Sequence, residues 1–259
     1  MSSGTARIGL GIDVGGSGIK GAPVDLDTGQ LTADRLRIET PQPSTPDAVA
    51  EVVAQVAEHF ADVLGQGPVG VTVPAVVTSG VVRTAANIDQ SWVGADAATL
   101  FGTRLGRPVH VVNDADAAGI AEARFGAARS TRGLVVVTTL GTGIGTALLM
   151  DGVLVPNSEL GHLELDGHDA ESRAASSARE NEDLSWEEWA QRLQRYYGAL
   201  EDLLWPALFV VGGGISKKAD KYLPLLHLRA PVVAAQLRNE AGIIGAAVLA
   251  AETATPATD

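Results

Sequence analysis

Asn113-Asp114 follows directly on the apolar run Val109 to Val112, which reads as a β-strand. Ligands of open α/β sheets gather at the carboxyl ends of strands, so a carboxylate there is well placed for chemistry. It could accept the proton of an acceptor hydroxyl, an effect typically worth ~10² to 10⁴ in rate. Both residues are also good N-caps for a helix beginning near Asp116, and the dipeptide alone leaves the two readings open. Glu159, His162 and Glu171 form a second polar group. Such side chains make paired hydrogen bonds to neighbouring hydroxyls and suit polyol recognition. His162 and His168 with Glu164, Asp166 and Asp169 could instead bind a metal, although the spacing fits no standard zinc pattern.

Two glycine-rich turns add a second kind of chemistry. Gly16-Ser17-Gly18-Ile19-Lys20-Gly21 matches G-x-G-x-x-G, but that pattern works only where the turn opens a helix. Ala22-Pro23-Val24-Asp25 follows instead, which excludes a dinucleotide-binding helix, and the chain has no Walker A run. What remains is a strand–turn–strand hairpin over Gly15, Gly16, Ser17 and Gly18, whose amides can cradle phosphate oxygens. Asp13 ends the first strand, where a carboxylate could hold a Mg²⁺-bound water, and Lys20 adds a point charge beside the turn. A single turn of this kind is an ordinary hairpin. A second one, Gly141-Thr142-Gly143, recurs 126 residues later and turns the preference toward phosphate binding. The same shift places Lys20 on Thr146 and Asp25 on Asp151.

The elements that must position these residues repeat one grammar. Arg7 to Asp13 and Ile19 to Asp25 read as strands, with a third near Leu31 to Glu39. Thr45 as N-cap and Pro46 at the first helical position open a helix. Its apolar face runs Val49, Val52, Val53, Val56, Phe60, Val63 and Leu64. Strand Val69 to Val73, a helix around Ala95 to Leu105, strand Val109 to Val112 and a helix from about Asp116 to Phe125 complete the first half. The second half predicts strands at Leu134 to Thr139, Thr146 to Met150 and Leu208 to Val211. Ser185 and Glu188 predict a capping box for a helix to about Leu204, with Trp186 and Trp189 as core anchors. A closing helix is expected over Ala241 to Ala251.

With 259 residues, 46% of them hydrophobic, the chain can bury one large core or two modest ones. Aromatic residues are only 4%, so Val, Ile, Leu and Ala are expected to dominate those cores. The absence of cysteine excludes disulfides and thiolate metal sites and fits a reducing compartment. No apolar stretch is long enough to span a bilayer, and the N-terminus lacks the apolar centre of a signal peptide. The expected location is cytoplasmic. A net charge of −12 argues against general nucleic-acid binding, so a polyanionic substrate would have to meet a local basic patch.

Five stretches stand in the order found in ROK-family sugar kinases: Asp13-Val14-Gly15-Gly16-Ser17, Asn113-Asp114, Leu140-Gly141-Thr142-Gly143, Glu159-Leu160-Gly161-His162 and Gly212-Gly213-Gly214-Ile215-Ser216. The chain resembles that family from Ile8 to Ala251. Ala85-Ala86-Asn87-Ile88 with Ser91-Trp92, and Gly161-His162-Leu163-Glu164 with Asp166 to Glu171, are similar to the polyphosphate glucokinases within it. The resemblance implies an α/β, actin-like ATPase (ribonuclease H-like) duplicated fold with two domains around a cleft. Residues 1–112, joined by the helix 240–251, would form the smaller domain, 113–239 the larger, and 252–259 a flexible tail.

The implied activity is phosphoryl transfer from polyphosphate, and ATP as a second donor, to the 6-hydroxyl of glucose. Asp114 would be the general base, and Asn87, Asn113, Glu159, His162 and Glu171 would bind sugar hydroxyls. Asp13, Gly15 to Gly18, Lys20 and Gly141 to Gly143 would hold donor phosphates with Mg²⁺ near Asp13. Gly212, Gly213 and Gly214 would shape the far end, where adenosine lies in ATP-using relatives. Many ROK proteins carry a cysteine-rich zinc site; this chain has no cysteine, and no zinc is expected. Arg124, Arg129 and Arg132, with Lys217, Lys218 and Lys221, either track a long polyphosphate or serve solubility. A homodimer is expected by likeness. The alternatives are an ATP-dependent kinase for mannose, fructose or an N-acetylated sugar, and a sugar-sensing regulator. Regulators of the family carry an N-terminal helix-turn-helix, whereas about six residues precede the first strand here.

Overall fold

The structure is a computed structural model that describes residues 7–85 and 88–254. Strands β1 (Ile8–Val14) and β2 (Ile19–Asp25) form a hairpin, followed by β3 (Leu36–Ile38) and helices α1 (Pro46–His59) and α2 (Ala61–Leu64). Next come β4 (Val69–Val73), the small pair β5 (Val77–Thr78) and β6 (Val81–Val82), α3 (Ala97–Leu105), β7 (Val109–Asn113) and α4 (Asp114–Phe125). A second hairpin, β8 (Leu134–Leu140) and β9 (Ile144–Met150), leads to β10 (Val153–Val155) and a ribbon of β11 (Glu164–Leu165) and β12 (His168–Asp169). Helices α5 (Ala170–Ala174), α6 (Ser176–Asn181) and α7 (Trp186–Leu204) precede β13 (Leu208–Gly212), β14 (Val232–Ala234) and α8 (Ala241–Ala254).

The two five-stranded sheets share one plan. Their orders are β3-β2-β1-β4-β7 and β10-β9-β8-β13-β14. Each begins with an antiparallel hairpin and continues through parallel neighbours, β1 with β4 and β7, β8 with β13 and β14. The 126-residue shift carries β1 onto β8 end to end. Beyond the turn it fails by one residue, because Val14 pairs with Ile19 in one hairpin and Leu140 with Ile144 in the other. The counterpart of Lys20 is therefore Gly145 rather than Thr146.

The chain divides into two compact units, one running to Ala121 and resuming at Glu240, the other spanning Glu122–Asn239. The division falls inside α4, beyond the expected position at 112. In the first unit, Leu10, Ile12, Val53, Val71, Trp92 and Phe101 are fully buried. The second unit concentrates the scarce aromatics, with Trp189, Tyr196, Tyr197, Phe209 and Tyr222 in its core, so it is less aliphatic than composition suggested.

Several expected elements differ. The third strand is confined to Leu36–Ile38, with one isolated bridge between Val24 and Leu31. The helix opened by Pro46 stops at Phe60, whose backbone (φ −104°, ψ 10°) is no longer helical. The periodicity breaks there, and Val63 lies 51% exposed instead of on the buried face. The helix expected from Asp116 starts at Asp114. Ser185 and Glu188 do make the reciprocal capping box of α7. Trp189 is buried as expected, whereas Trp186 is only half-buried. Glu252–Ala254, assigned to a tail, continue α8, and residues 255–259 lie outside the described residues. Among the described residues, no helix is long and apolar enough to cross a membrane.

Candidate functional site

In the first unit the functional groups leave the carboxyl ends of the parallel strands β1, β4 and β7. Asp13 pairs in register with Thr72 of β4, and Val73 pairs with Asn113 of β7. Parallel strands end on the same side, so the β1–β2 turn and Asn113-Asp114 emerge at a common edge. The Thr72 hydroxyl donates to Asp13 Oδ1 at 2.8 Å and orients the carboxylate. A carboxylate has about four acceptor positions, so Asp13 keeps capacity for a Mg²⁺ coordinated mainly by water and phosphates.

The glycine turn is held from outside. Gly15 N–H donates to Gly18 O at 3.2 Å, the Thr40 hydroxyl to Gly15 O at 2.5 Å, and Arg37 Nη2 to Ser17 O at 2.8 Å. Lys20 stands directly opposite both Asp13 on β1 and Arg37 on β3, which gathers two cations beside the turn. A cavity of about 300 Å³ adjoins it, lined by Gly15, Gly16, Thr40, Gln42, Ser44 and Asp89 among others. Asn87, placed in the sugar pocket by resemblance, lies outside the described residues.

Asn113 acts as the cap of α4. Its Oδ1 accepts from Ala115 N–H at 2.8 Å and Asp116 N–H at 3.1 Å, and its Nδ2 donates to Ala75 O at 3.1 Å. Three of its four hydrogen-bonding positions are thus spent, leaving one amide N–H for a ligand. Asp114, half-buried, accepts from Ala115 N–H at 2.8 Å through Oδ1. The two open readings of this dipeptide therefore divide between its members. Asn113 caps, and Asp114 presents a carboxylate at the sheet edge.

The second unit brings Glu159, His162 and Glu171 together. His162 Nδ1 lies 2.9 Å from Asp169 Oδ2, and its Nε2 lies 3.8 Å from Glu159 Oε2. Asp169 Oδ1 also accepts from Glu171 N–H at 3.0 Å and so caps α5. Glu171 Oε2 accepts from Ile144 N–H at 2.7 Å, tying this carboxylate to the second glycine turn. That turn is further fixed by Ser176, whose hydroxyl donates to Gly141 O at 3.0 Å, and by Ser177, which donates to Thr142 O at 2.6 Å. Gly213 has φ +82°, and a Cβ there would sit 2.3 Å from Leu140 O, so only glycine lets β13 approach the end of β8.

The hydrogen bond to Asp169 pushes His162 above its ordinary pKa, with desolvation opposing and Glu171, Asp169 and Glu159 adding attraction. Burial raises Glu159, against the pull of His162. Because the folded His162 binds its proton more tightly, its contribution to stability is complete below the ordinary value near 6.5. It fades as pH rises through the elevated folded value. A histidine-resolved NMR titration should place His162 above 6.5, and Asp169→Asn should return it toward the ordinary value. An unchanged midpoint in that variant would remove Asp169 as the cause.

Thr72, Thr40, Arg37, Ser176 and Ser177 do not stand out in the sequence as site residues, yet each holds one that does; Asp169 stands out only as a possible metal ligand, and it holds His162. For Asp169 a signal existed: Asp166-Gly167 is a hairpin dipeptide, and both residues have positive φ (54° and 77°). The ribbon it closes pairs Glu164 with Asp169 and returns Asp169 toward His162.

Two sheets of one connectivity, each opening on a glycine-rich hairpin, define the actin-like ATPase fold. The chain belongs to the ROK family, whose profile matches residues 9–177. It is 56% identical over 245 residues to the polyphosphate glucokinase of Mycobacterium tuberculosis (strain CDC 1551 / Oshkosh), covering 94% of this chain and 91% of that protein. Among solved structures, the inorganic polyphosphate/ATP-glucomannokinase of Arthrobacter sp. strain KM matches with TM-score 0.91 at 56% identity, over 95% of this chain and 99% of that one. The ROK family glucokinase of Streptomyces griseus, in complex with glucose and AMPPNP, matches with TM-score 0.82 at 25% identity, over 95% and 99% of the two chains.

Proposed function

We propose that this chain is a polyphosphate glucokinase, a phosphotransferase that makes glucose 6-phosphate from polyphosphate and also accepts ATP. The observation that carries the reading is the shared sheet edge of the first unit. Asp114 leaves β7 where the Asp13 carboxylate and the glycine turn leave β1, so an acceptor base and a phosphate cradle stand together. The 56% identity to polyphosphate glucokinases over most of the chain supports the donor and the acceptor.

In this reading Asp114 takes the proton of the glucose 6-hydroxyl as its oxygen attacks the terminal phosphorus. The P–O bond to the next phosphate breaks, and the shortened chain leaves. Glu159, His162 and Glu171 bind sugar hydroxyls, and the remaining N–H of Asn113 adds one donor. The turns at Gly15 to Gly18 and Gly141 to Gly143 hold phosphate oxygens, with Lys20 neutralising charge; Gly212 to Gly214 border the donor. Mg²⁺, when bound beside Asp13, supplies charge neutralisation on the donor phosphates. We read the protein as a cytoplasmic homodimer by the same family likeness, which sedimentation of the purified protein checks. The likeness to a glucomannokinase favours mannose as a second acceptor.

The test mixes purified protein, Mg²⁺ and glucose with polyphosphate or ATP in turn. Glucose 6-phosphate is expected from polyphosphate. Absence of product from polyphosphate would overturn the reading, whether or not ATP gives product.

A further inference from the structure

The net charge of −12 makes any unpaired cationic surface informative, and the second unit has one. Three of its arginines are held by carboxylates: Arg192 by Glu182, Arg195 by Asp166, Arg229 by Glu201 and Asp202. Arg179 differs. Its guanidinium lies 3.8 Å from the centroid of the Trp186 ring, and its Nε is buried there without a hydrogen-bond partner. Lys218 approaches the same ring at 5.9 Å. Trp186 in turn runs nearly parallel to Tyr222, at 16° and 6.2 Å between centroids, which stiffens the shelf. Lys217, Lys218 and Lys221 are exposed on the helical segment Gly214–Lys221. Among the described residues only Lys221 of the three has an ion pair, with Asp220 at 3.8 Å.

Both cationic elements are tied to loops that the proposed function gives to phosphate, α6 by hydrogen bonds and the lysine segment by direct continuation. Arg179 stands two residues beyond Ser177, which holds Thr142, within the six-residue α6. The lysine segment starts at Gly214, and Ser216 fastens it by donating to Gly213 O at 2.8 Å. A guanidinium stacked on an indole keeps a fixed plane and presents its N–H edge to oxyanions. Such an arrangement repeats along a surface what a single phosphate cradle does once.

We propose that Arg179, shelved on Trp186, and Lys217, Lys218 and Lys221 form a track that binds the polyphosphate chain beyond its reacting end. The proposal rests on the polyphosphate-kinase reading and adds to it the residues that select long donors over short ones. The track binds by charge and spacing, so its contribution grows with donor length and disappears for a donor too short to reach it.

The test compares long-chain polyphosphate with tripolyphosphate as donors for the intact enzyme. In the triple variant Lys217→Ala, Lys218→Ala, Lys221→Ala, KM for the long chain should rise about tenfold or more, while KM for tripolyphosphate moves less than about threefold. The slope of log KM for the long chain against log salt should shrink by about 2, at about 0.7 per lost contact with a flexible polyanion. Arg179→Ala should raise KM for the long chain, and Arg179→Lys should restore part of the loss. Equal changes for both donors, or none, would overturn the track. Should the variants fold poorly, the wild-type enzyme decides. A KM for the long chain no more salt-sensitive than that for tripolyphosphate also overturns it. A wild-type enzyme that makes no product from any polyphosphate would sink the underlying reading as well, and that outcome is told apart by the first assay alone.

Discussion

Asp114→Asn is expected to lower kcat for glucose phosphorylation by ~10² to 10⁴ while leaving glucose affinity within about threefold. The substitution is nearly isosteric, and an amide oxygen can still accept the Ala115 N–H that Asp114 Oδ1 accepts at 2.8 Å. Asn also suits the start of a helix, so α4 should form as before. What is lost is the basic site for the departing hydroxyl proton. Phosphoryl transfer passes through a loose transition state with little bond formation to the acceptor, which places the loss toward the lower end of that range. The measurements are kcat at saturating glucose and donor, with glucose binding followed separately. Turnover within about tenfold of wild type would remove Asp114 from the role. The neighbouring residue provides a contrast. Asn113→Ala would take the Asn113 partner from the Asp116 amide and from Ala75 O and leave the Ala115 amide to Asp114 alone, so its damage should appear in folding. The two adjacent variants separate chemistry from capping by what each one spoils.

The repeated grammar is legible in the sequence because each half spends the same residues on the same geometry: an apolar strand, glycines where a turn must be tight, a second strand. Residue types alone align β1 with β8, since 126 residues separate Gly15 from Gly141. The one-residue difference in turn length is not legible, because strand pairing across the turn decides it. The break at Phe60 is hidden for a related reason. Val63 and Leu64 fit the helical period as well as Val56 does, and only the backbone at Phe60 ends the helix. The residues proposed to meet the ligands show themselves through their types: carboxylates, an imidazole, glycines. Those that position them do not. Thr72 reaches Asp13 through a parallel register 59 residues away, and Arg37 reaches Ser17 across β2 and β3. No spacing in the sequence announces such contacts, because threonine and arginine at those places look like ordinary strand residues. Trp186 shows the limit of type alone, since an aromatic in an amphipathic helix reads as core, yet here it carries a guanidinium on a half-open face.

Gly11→Ala should destabilise the first unit by about 3 kcal/mol or more, the upper range for overpacking. Helix α8 reads Ala-Gly-Ile-Ile-Gly-Ala-Ala-Val-Leu-Ala-Ala, and it lies backbone-to-backbone on the sheet. Gly11 of β1 and Gly70 of β4 are register partners, and together they make the shallow place where that helix rests. A Cβ at Gly11 would stand 1.8 Å from Ile243 O, and one at Gly70 would stand 1.9 Å from Ala246 O. Both obstacles are backbone, so no rotamer change can relieve them, and the helix must move bodily by more than an ångström. Gly242, in the first turn of α8, packs against Asp13, at 3.1 Å from Oδ1 for an added Cβ. Displacing α8 should therefore disturb the donor side of the site, raising KM for polyphosphate more than KM for glucose. At about 2 to 4 °C per kcal/mol for a chain of this size, the fall in Tm should be about 6 to 12 °C. Gly102→Ala is the control of opposite sign. It lies inside α3, where a Cβ meets nothing closer than Arg107 O at 3.4 Å, and the helix should gain about 0.5 to 1 kcal/mol. If Gly11→Ala melts with the wild type, the sheet does not need glycine there, and the close seating of α8 is not what sets the donor side of the fold.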